Sequence, residues 1–204
     1  LIANDQPTFD LLWRWSVNNL SGGDAGAQLP GWIWGRADDG AWRLLDPNAA
    51  SDADLWFVYD LLEAGRLWGR PDYVRDAMRL LALIEQKEVV SLPGLGAMLL
   101  PGPIGFEQPN RVWVLNPSYL PIPLLRRLTT ASPTGPWERV AANTARMITS
   151  VTPKGFIADW VGYQATSDTA GRFIIDPLKG DRGSYDAIRV YLWAGMTPNA
   201  DPLA

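Results

Sequence analysis

The chain has 204 residues, 47% of them hydrophobic in type, with 18 basic and 22 acidic side chains and neither histidine nor cysteine. That length and apolar content suit a folded domain with a sizeable core, and a net charge of −4 without any block of Lys and Arg argues against a nucleic-acid partner. Missing Cys and His exclude disulfides, thiolate metal sites, cysteine nucleophiles, the commonest zinc ligand and the usual base of a serine triad. Acid–base work falls to Asp, Glu, Tyr or Lys, and no apolar run reaches the length of a membrane span.

Taken in chain order, Phe9, Leu12, Trp13 and Leu20 fall at helical intervals and Gly22-Gly23 stops the run. Ser51-Asp52-Ala53-Asp54 reads as a capping box that starts a second helix, whose Leu55, Val58, Tyr59 and Leu62 mark one face while Trp56, Leu61 and Trp68 lie on others. Pro71 suits a first turn, after which Tyr73, Ala77, Leu80, Leu81 and Ile84 make a narrower stripe flanked by Arg75, Arg79 and Glu85. From Val89 to Leu115, short apolar runs broken by Pro and Gly predict a long loop containing extended or hairpin segments. Helical periodicity returns around Leu124, Leu125 and Leu128, and again after Pro136 through Trp137, Val140, Ala141, Thr144, Ile148 and Val151. A second long loop, Thr152 to Gly183, precedes a final helix with Tyr185, Ile188, Tyr191 and Leu192 on one face. Inner and outer helices separated by long loops argue for an array or toroid of helical hairpins.

Eleven tryptophans are present, and Pro30-Gly31-Trp32-Ile33-Trp34-Gly35 leads towards the acidic turn Ala50-Ser51-Asp52-Ala53-Asp54. Flat indole faces stack on pyranose rings and carboxylates move protons at an acetal carbon, so the pairing points to sugar chemistry. Core filling is the competing reading for any one indole, and helix capping for Asp52 and Asp54. Tyr185, Asp186 and Arg189 open the last helix, with Asp186 and Arg189 one turn apart and able to pair. Arg111 to Tyr119 brings Trp113, Asn116, Ser118 and Tyr119 to the first long loop, a mixture that suits either a sugar subsite or a buried loop anchor.

Several unconnected segments together resemble glycoside hydrolase family 8, most closely the endoglucanases of bacterial cellulose synthase operons. They are Ala50-Ser51-Asp52-Ala53-Asp54 with Leu61-Leu62-Glu63-Ala64-Gly65-Arg66-Leu67-Trp68, then Pro93 to Gly102, Asn116-Pro117-Ser118-Tyr119-Leu120-Pro121, Pro153-Lys154-Gly155-Phe156, and Ser184 to Tyr191. The resemblance covers essentially the whole chain. It implies an all-α fold, an incomplete (α/α)6 barrel with long loops and short strands at its cleft end, with residues 1–204 forming one partial catalytic domain. It also implies endo-cleavage of β-1,4-glucan with inversion and neither cofactor nor metal. Asp186 would be the general base and Asp52 the residue that holds the distorted sugar at the cleavage point. Tyr185 and Arg189 would support them, and Trp32, Trp34, Trp113 and Tyr119 match regions that line the cleft. Trp13, Trp56, Trp68 and Trp137 are expected in packing.

Phe57, Val58 and Asp60 depart from the family signature in ways that affect packing. The family's general acid is a Glu in a Ser-Glu-Gly-like segment, a motif that none of Glu63, Glu85, Glu88, Glu107 or Glu138 occupies. The resemblance therefore implies that the acid lies upstream of this stretch, that further helices follow it, and that the stretch alone is inactive. A periplasmic or secreted location and an association with the cellulose synthase machinery follow from the same likeness. A non-catalytic glucan-binding protein, or a family 8 hydrolase of xylan or chitosan, stand as alternatives.

Overall fold

The computed structural model describes residues 1–152 and 154–203; Pro153, which opens one of the family-like blocks, and Ala204 lie outside the described residues. The chain forms two compact units, Leu1–Lys87 and Glu88–Ala204.

The first unit begins with α1 (Gln6–Leu20), capped by Asp5, whose carboxylate accepts from the Thr8 amide. Strands β1 (Gly31–Arg36) and β2 (Trp42–Ala49) follow as an antiparallel hairpin. Helices α2 (Ser51–Trp68) and α3 (Pro71–Lys87) then form a tight hairpin. Gly69 closes α2 in the left-handed region at φ 62°, a conformation that favours glycine and lets Pro71 start the next helix after two residues. The apolar stripe predicted for α3 is buried, Ala77, Leu80 and Ile84 completely, while Arg75 and Arg79 stay at the surface. Between α1 and the α2–α3 pair, Phe9 packs edge-on against Trp68 and Tyr73 at 5.4 and 5.3 Å, and the Trp13 indole donates to Asp76 at 3.3 Å. Trp13 and Trp68 are thus packing residues, as their helical spacing predicts.

Two expectations need correction here. The residue that caps α2 is Ala50, and Ser51 is already helical, so no side-chain capping bond forms at this start. The Asp54 amide is taken by the Ala50 carbonyl at 3.1 Å, the first bond of the helix itself. The Trp-rich stretch before it, read without a defined element, is one strand of the β1–β2 hairpin.

In the second unit β3 (Val89–Leu92) and β4 (Gly96–Leu99) pair as a hairpin, the form predicted for the first long loop. A four-stranded antiparallel sheet follows in the order β5 (Glu107–Gln108), β6 (Val112–Leu115), β7 (Val161–Ala165), β8 (Gly171–Ile175). The second long loop therefore carries two paired strands. Helices α4 (Ile122–Ala131), α5 (Trp137–Val151) and α6 (Tyr185–Met196) complete the unit. Trp137, Val140 and Met147 of α5 are fully buried. The Asn143 side chain fixes this helix to the β3–β4 turn by donating to the Leu95 and Ala97 carbonyls at 3.1 and 2.7 Å. Tyr163 of β7 donates to the Pro93 carbonyl at 2.6 Å and ties the sheet to the same turn.

Candidate active site

The second unit assembles a carboxylate site at the start of α6. Asp186 lies in the first turn of that helix, where backbone amides lacking helical partners favour negative charge. One of its oxygens accepts from the Arg189 guanidinium at 2.7 Å, the i,i+3 pair predicted from spacing. The other accepts from Asn116 Nδ2 at 3.2 Å, across 70 residues of sequence.

The orientation of that amide follows from its surroundings. Asn116 is 1% exposed, and its Oδ1 accepts from both the Ser118 amide at 3.0 Å and the Ser118 hydroxyl at 2.6 Å. With the oxygen committed to capping the single 3₁₀ turn Pro117–Tyr119, the NH2 must face Asp186. A further bond from the Trp193 indole to the Ser118 carbonyl at 2.8 Å docks α6 on this turn. Asp186 and Arg189 nonetheless keep 33% and 36% of their side chains exposed, so the carboxylate is oriented by protein and reachable by water.

Aromatic rings continue from this point. The Arg189 guanidinium lies 5.4 Å from the centre of the Tyr119 ring. Tyr119 is in turn 6.4 Å from Trp160, which stacks on Phe106 at 6.2 Å with 10° between planes. Lys179 sits 5.5 Å from the Trp160 ring. Tyr119, Trp160 and Phe106 are all half-buried, each fixed in place with part of its surface free, the condition for an apolar platform beside hydrogen-bonding groups.

The start of α6 is held from outside the helix. Ser184 is its capping residue and makes no side-chain capping bond of its own. That function comes from Asp159, which is 8% exposed and accepts from the Ser184 amide at 2.8 Å, the Ser184 hydroxyl at 2.5 Å and the Ala187 amide at 2.8 Å. Burial acts to raise the Asp159 carboxyl, but these three donors and the nearby Arg182 charge outweigh it and hold the group below its ordinary value.

Tyr185 is 88% exposed. It joins Phe156, Ile188 and Tyr191 around an open hollow that involves neither Asp186 nor Arg189. Trp113 is buried among the inward residues of β6 and offers a ligand little surface. In the first unit, Trp32 on β1 is exposed, and half-buried Trp34 meets Trp15 edge-on at 5.7 Å. Asp52 is half-buried on the first turn of α2 and accepts from the Ala53 amide at 2.9 Å. Asp159 and Trp160 carry no local sequence signal, because nothing marks an Asp-Trp pair inside a loop, and Asn116 stands out only as part of its segment. A signal was available in Ser184, a capping residue in want of a partner.

Over residues 1–204 the sequence matches the family described as Glycosyl hydrolases family 8. The chain belongs to this family. Two similar relatives are both called endoglucanase. One, from Pseudomonas fluorescens (strain SBW25), is 51% identical over all of this chain and 52% of its own length. The other, from Xanthomonas axonopodis pv. citri (strain 306), is 52% identical over all of this chain and 51% of its own length. Among solved structures, the endo-1,4-D-glucanase from Vibrio fischeri ES114 superposes with a TM-score of 0.92 at 45% identity, covering 99% of this chain and 57% of that one. The chain spans about half the length of the curated relatives it matches. Its fold is accordingly that of part of a family 8 (α/α)6 barrel, with short strands among the helices. No described helix of this family 8 chain is long and apolar enough to cross a membrane.

Proposed function

We propose that the protein carrying this chain is an endo-β-1,4-glucanase that cleaves internal glucosidic bonds with inversion, and that residues 1–204 are part of its single catalytic domain. The observation that carries the reading is the Asp186 carboxylate, oriented by Asn116 and Arg189 from two elements and still open to solvent. An inverting hydrolase needs an ionised carboxylate to take a proton from the attacking water, opposite a protonated carboxyl that assists the departing sugar oxygen. Asp186 is suited to the first task. Arg189 holds one carboxylate oxygen and Asn116 the other, while a third of the side chain stays open to solvent, from which the attacking water would come. Tyr119 supplies an apolar surface beside them. The family resemblance gives Asp52 the part of gripping the sugar at the cleavage point, with Trp32, Trp34 and Tyr185 as further contacts. It assigns Trp113 to the cleft as well, where its burial favours a supporting role behind the Asn116 turn.

The same reading, with the names of the relatives, makes β-1,4-glucan the substrate. On the family resemblance alone, we propose that the protein works in the periplasm or outside the cell, in functional association with cellulose synthesis. The deciding experiment is Asp186→Asn in the full-length protein. The amide keeps the shape but cannot accept the proton, so release of reducing ends from carboxymethylcellulose should fall by about 10²–10⁴-fold. Cello-oligosaccharide binding should stay within about threefold, since a uniform binding contribution is not what the carboxylate supplies. Turnover that survives the substitution rejects Asp186 as the base.

A further inference from the structure

The geometry points to Asp159 as a positioning residue for the reaction: its buried carboxylate caps α6 from the β7 side of the unit and thereby sets where Asp186 stands. The inference rests on Asp186 being the base. Three observations support it, the first two independently of that assignment.

First, α6 does not cap itself. The Ser184 side chain makes no capping bond, and two of the backbone amides at this start, Ser184 and Ala187, are both satisfied by Asp159 Oδ1. These amides bracket Asp186, one two residues before it and one immediately after it. A carboxylate clamped to both leaves the intervening backbone little freedom to rotate.

Second, the clamp is itself fixed. The Asp159 amide donates to the Arg182 carbonyl at 3.0 Å, and the Ile157 amide donates to the Tyr191 hydroxyl at 3.0 Å, two turns into α6. A Cβ on Gly183 would lie 2.6 Å from the Ile157 carbonyl oxygen. The 157–159 segment and the entry to α6 thus approach as closely as backbones can, which only a residue without a side chain permits.

Third, the bonds that Asp186 makes are sensitive to small shifts. Its contact with Asn116 is already 3.2 Å, near the long end of a useful N–H···O bond. Asn116 cannot follow a displaced carboxylate, because its oxygen is tied to Ser118. A misplacement of about 1 Å at a reacting group costs on the order of 10²-fold in rate. Loss of the Asp159 clamp therefore weakens proton transfer without removing any group that touches the substrate.

The test is a kinetic double-mutant cycle in the full-length protein, with rates expressed per folded molecule well below each variant's melting temperature. Asp159→Asn should lower kcat by roughly 10-fold to 10²-fold with KM changed less than about twofold, because uniform substrate binding is untouched. Introduced into Asp186→Asn, the same change should lower the residual rate less than about twofold, since residues that act as one unit are not additive. Ser184→Ala, which removes one of the three donors and leaves both amides, is the second variant should Asp159→Asn fold poorly. It should lower kcat by about 2-fold to 10-fold with the same non-additivity. A kcat within twofold of the parent in a folded variant overturns the inference, and so does an equal loss with and without Asp186. An Asp186→Asn protein that retains full turnover instead rejects the assignment of the base.

Discussion

Two helix starts carry the acids singled out by the sequence, and they are built in different ways. At the start of α2 the backbone cap is local: the Ala50 carbonyl takes the Asp54 amide, and Asp52 accepts from the next amide in the chain. At the start of α6 the cap is Asp159, 25 residues earlier, and the carboxylate of Asp186 is held by Asn116, 70 residues earlier. The first arrangement follows from forming the helix at all. The second exists only once a turn, a loop and a helix have come together, so it costs ordering of three segments to orient one carboxylate. Such an outlay makes sense where a group must be aimed, and the long-range hold on the Asp186 carboxylate is what supports proposing it as the proton acceptor.

The sharpest way to break this contrast is to disturb the long-range partner alone. Asn116→Asp keeps an oxygen for the Ser118 amide and hydroxyl, but sets a second carboxylate against Asp186 where an NH2 now donates. We expect kcat to fall by roughly 10-fold to 10²-fold in the full-length protein, with little change in melting temperature relative to that loss. Steady-state kinetics alongside thermal unfolding check it. Unchanged turnover would show that Asn116 serves only its own turn, and α6 would then be no more specialised than α2.

A smaller effect is expected from acid. Because Asp159 is held below the ordinary carboxyl value of 3.8 in the folded protein, the unfolded chain binds more protons on the way down through that range. The stabilisation it gives is complete above the ordinary value and disappears as pH falls through the lower folded value. The melting temperature of Asp159→Asn should therefore lie below that of the parent at pH 7, and the gap should close as pH drops through the acid range. A gap independent of pH would mean that the charged form of Asp159 is not what clamps α6.

Much of the helical framework was legible, because periodicity and end signals are local. The stripe on α3, the starts at Ser51 and Pro71, and the helix after Pro136 all appear where the spacing puts them. The strands were harder. β6 is buried at every position and pairs with β7, some 50 residues away, so neither alternation nor a nearby turn announces the match. In the site, the Asp186–Arg189 pair could be read from one helical turn, whereas its junction with Asn116 and the clamp by Asp159 depend on tertiary proximity. Trp113 shows the limit from the other side. A Trp beside a polar loop suits a platform on composition, yet the all-buried strand that carries it turns the ring into the core.

The smallest effect concerns the start of α2, where sequence and structure disagree about chemistry while agreeing about position. Read as a capping box, Ser51 would accept from a first-turn amide, and Ser51→Ala would cost about 0.5–2 kcal/mol. In the structure Ser51 is helical and 0% exposed, and its hydroxyl has no hydrogen-bond partner among the described residues. A buried hydroxyl without a partner is a net cost of about 1–3 kcal/mol relative to one left in water. Alanine removes that oxygen, keeps nearly the same volume and is the strongest helix former. Ser51→Ala should thus leave stability unchanged or raise it by up to about 1 kcal/mol, measured by denaturant unfolding with an unaltered slope. A loss of stability on the capping scale would restore the hydroxyl as a cap. It would also make the two acidic helix starts alike in needing a side chain to define them.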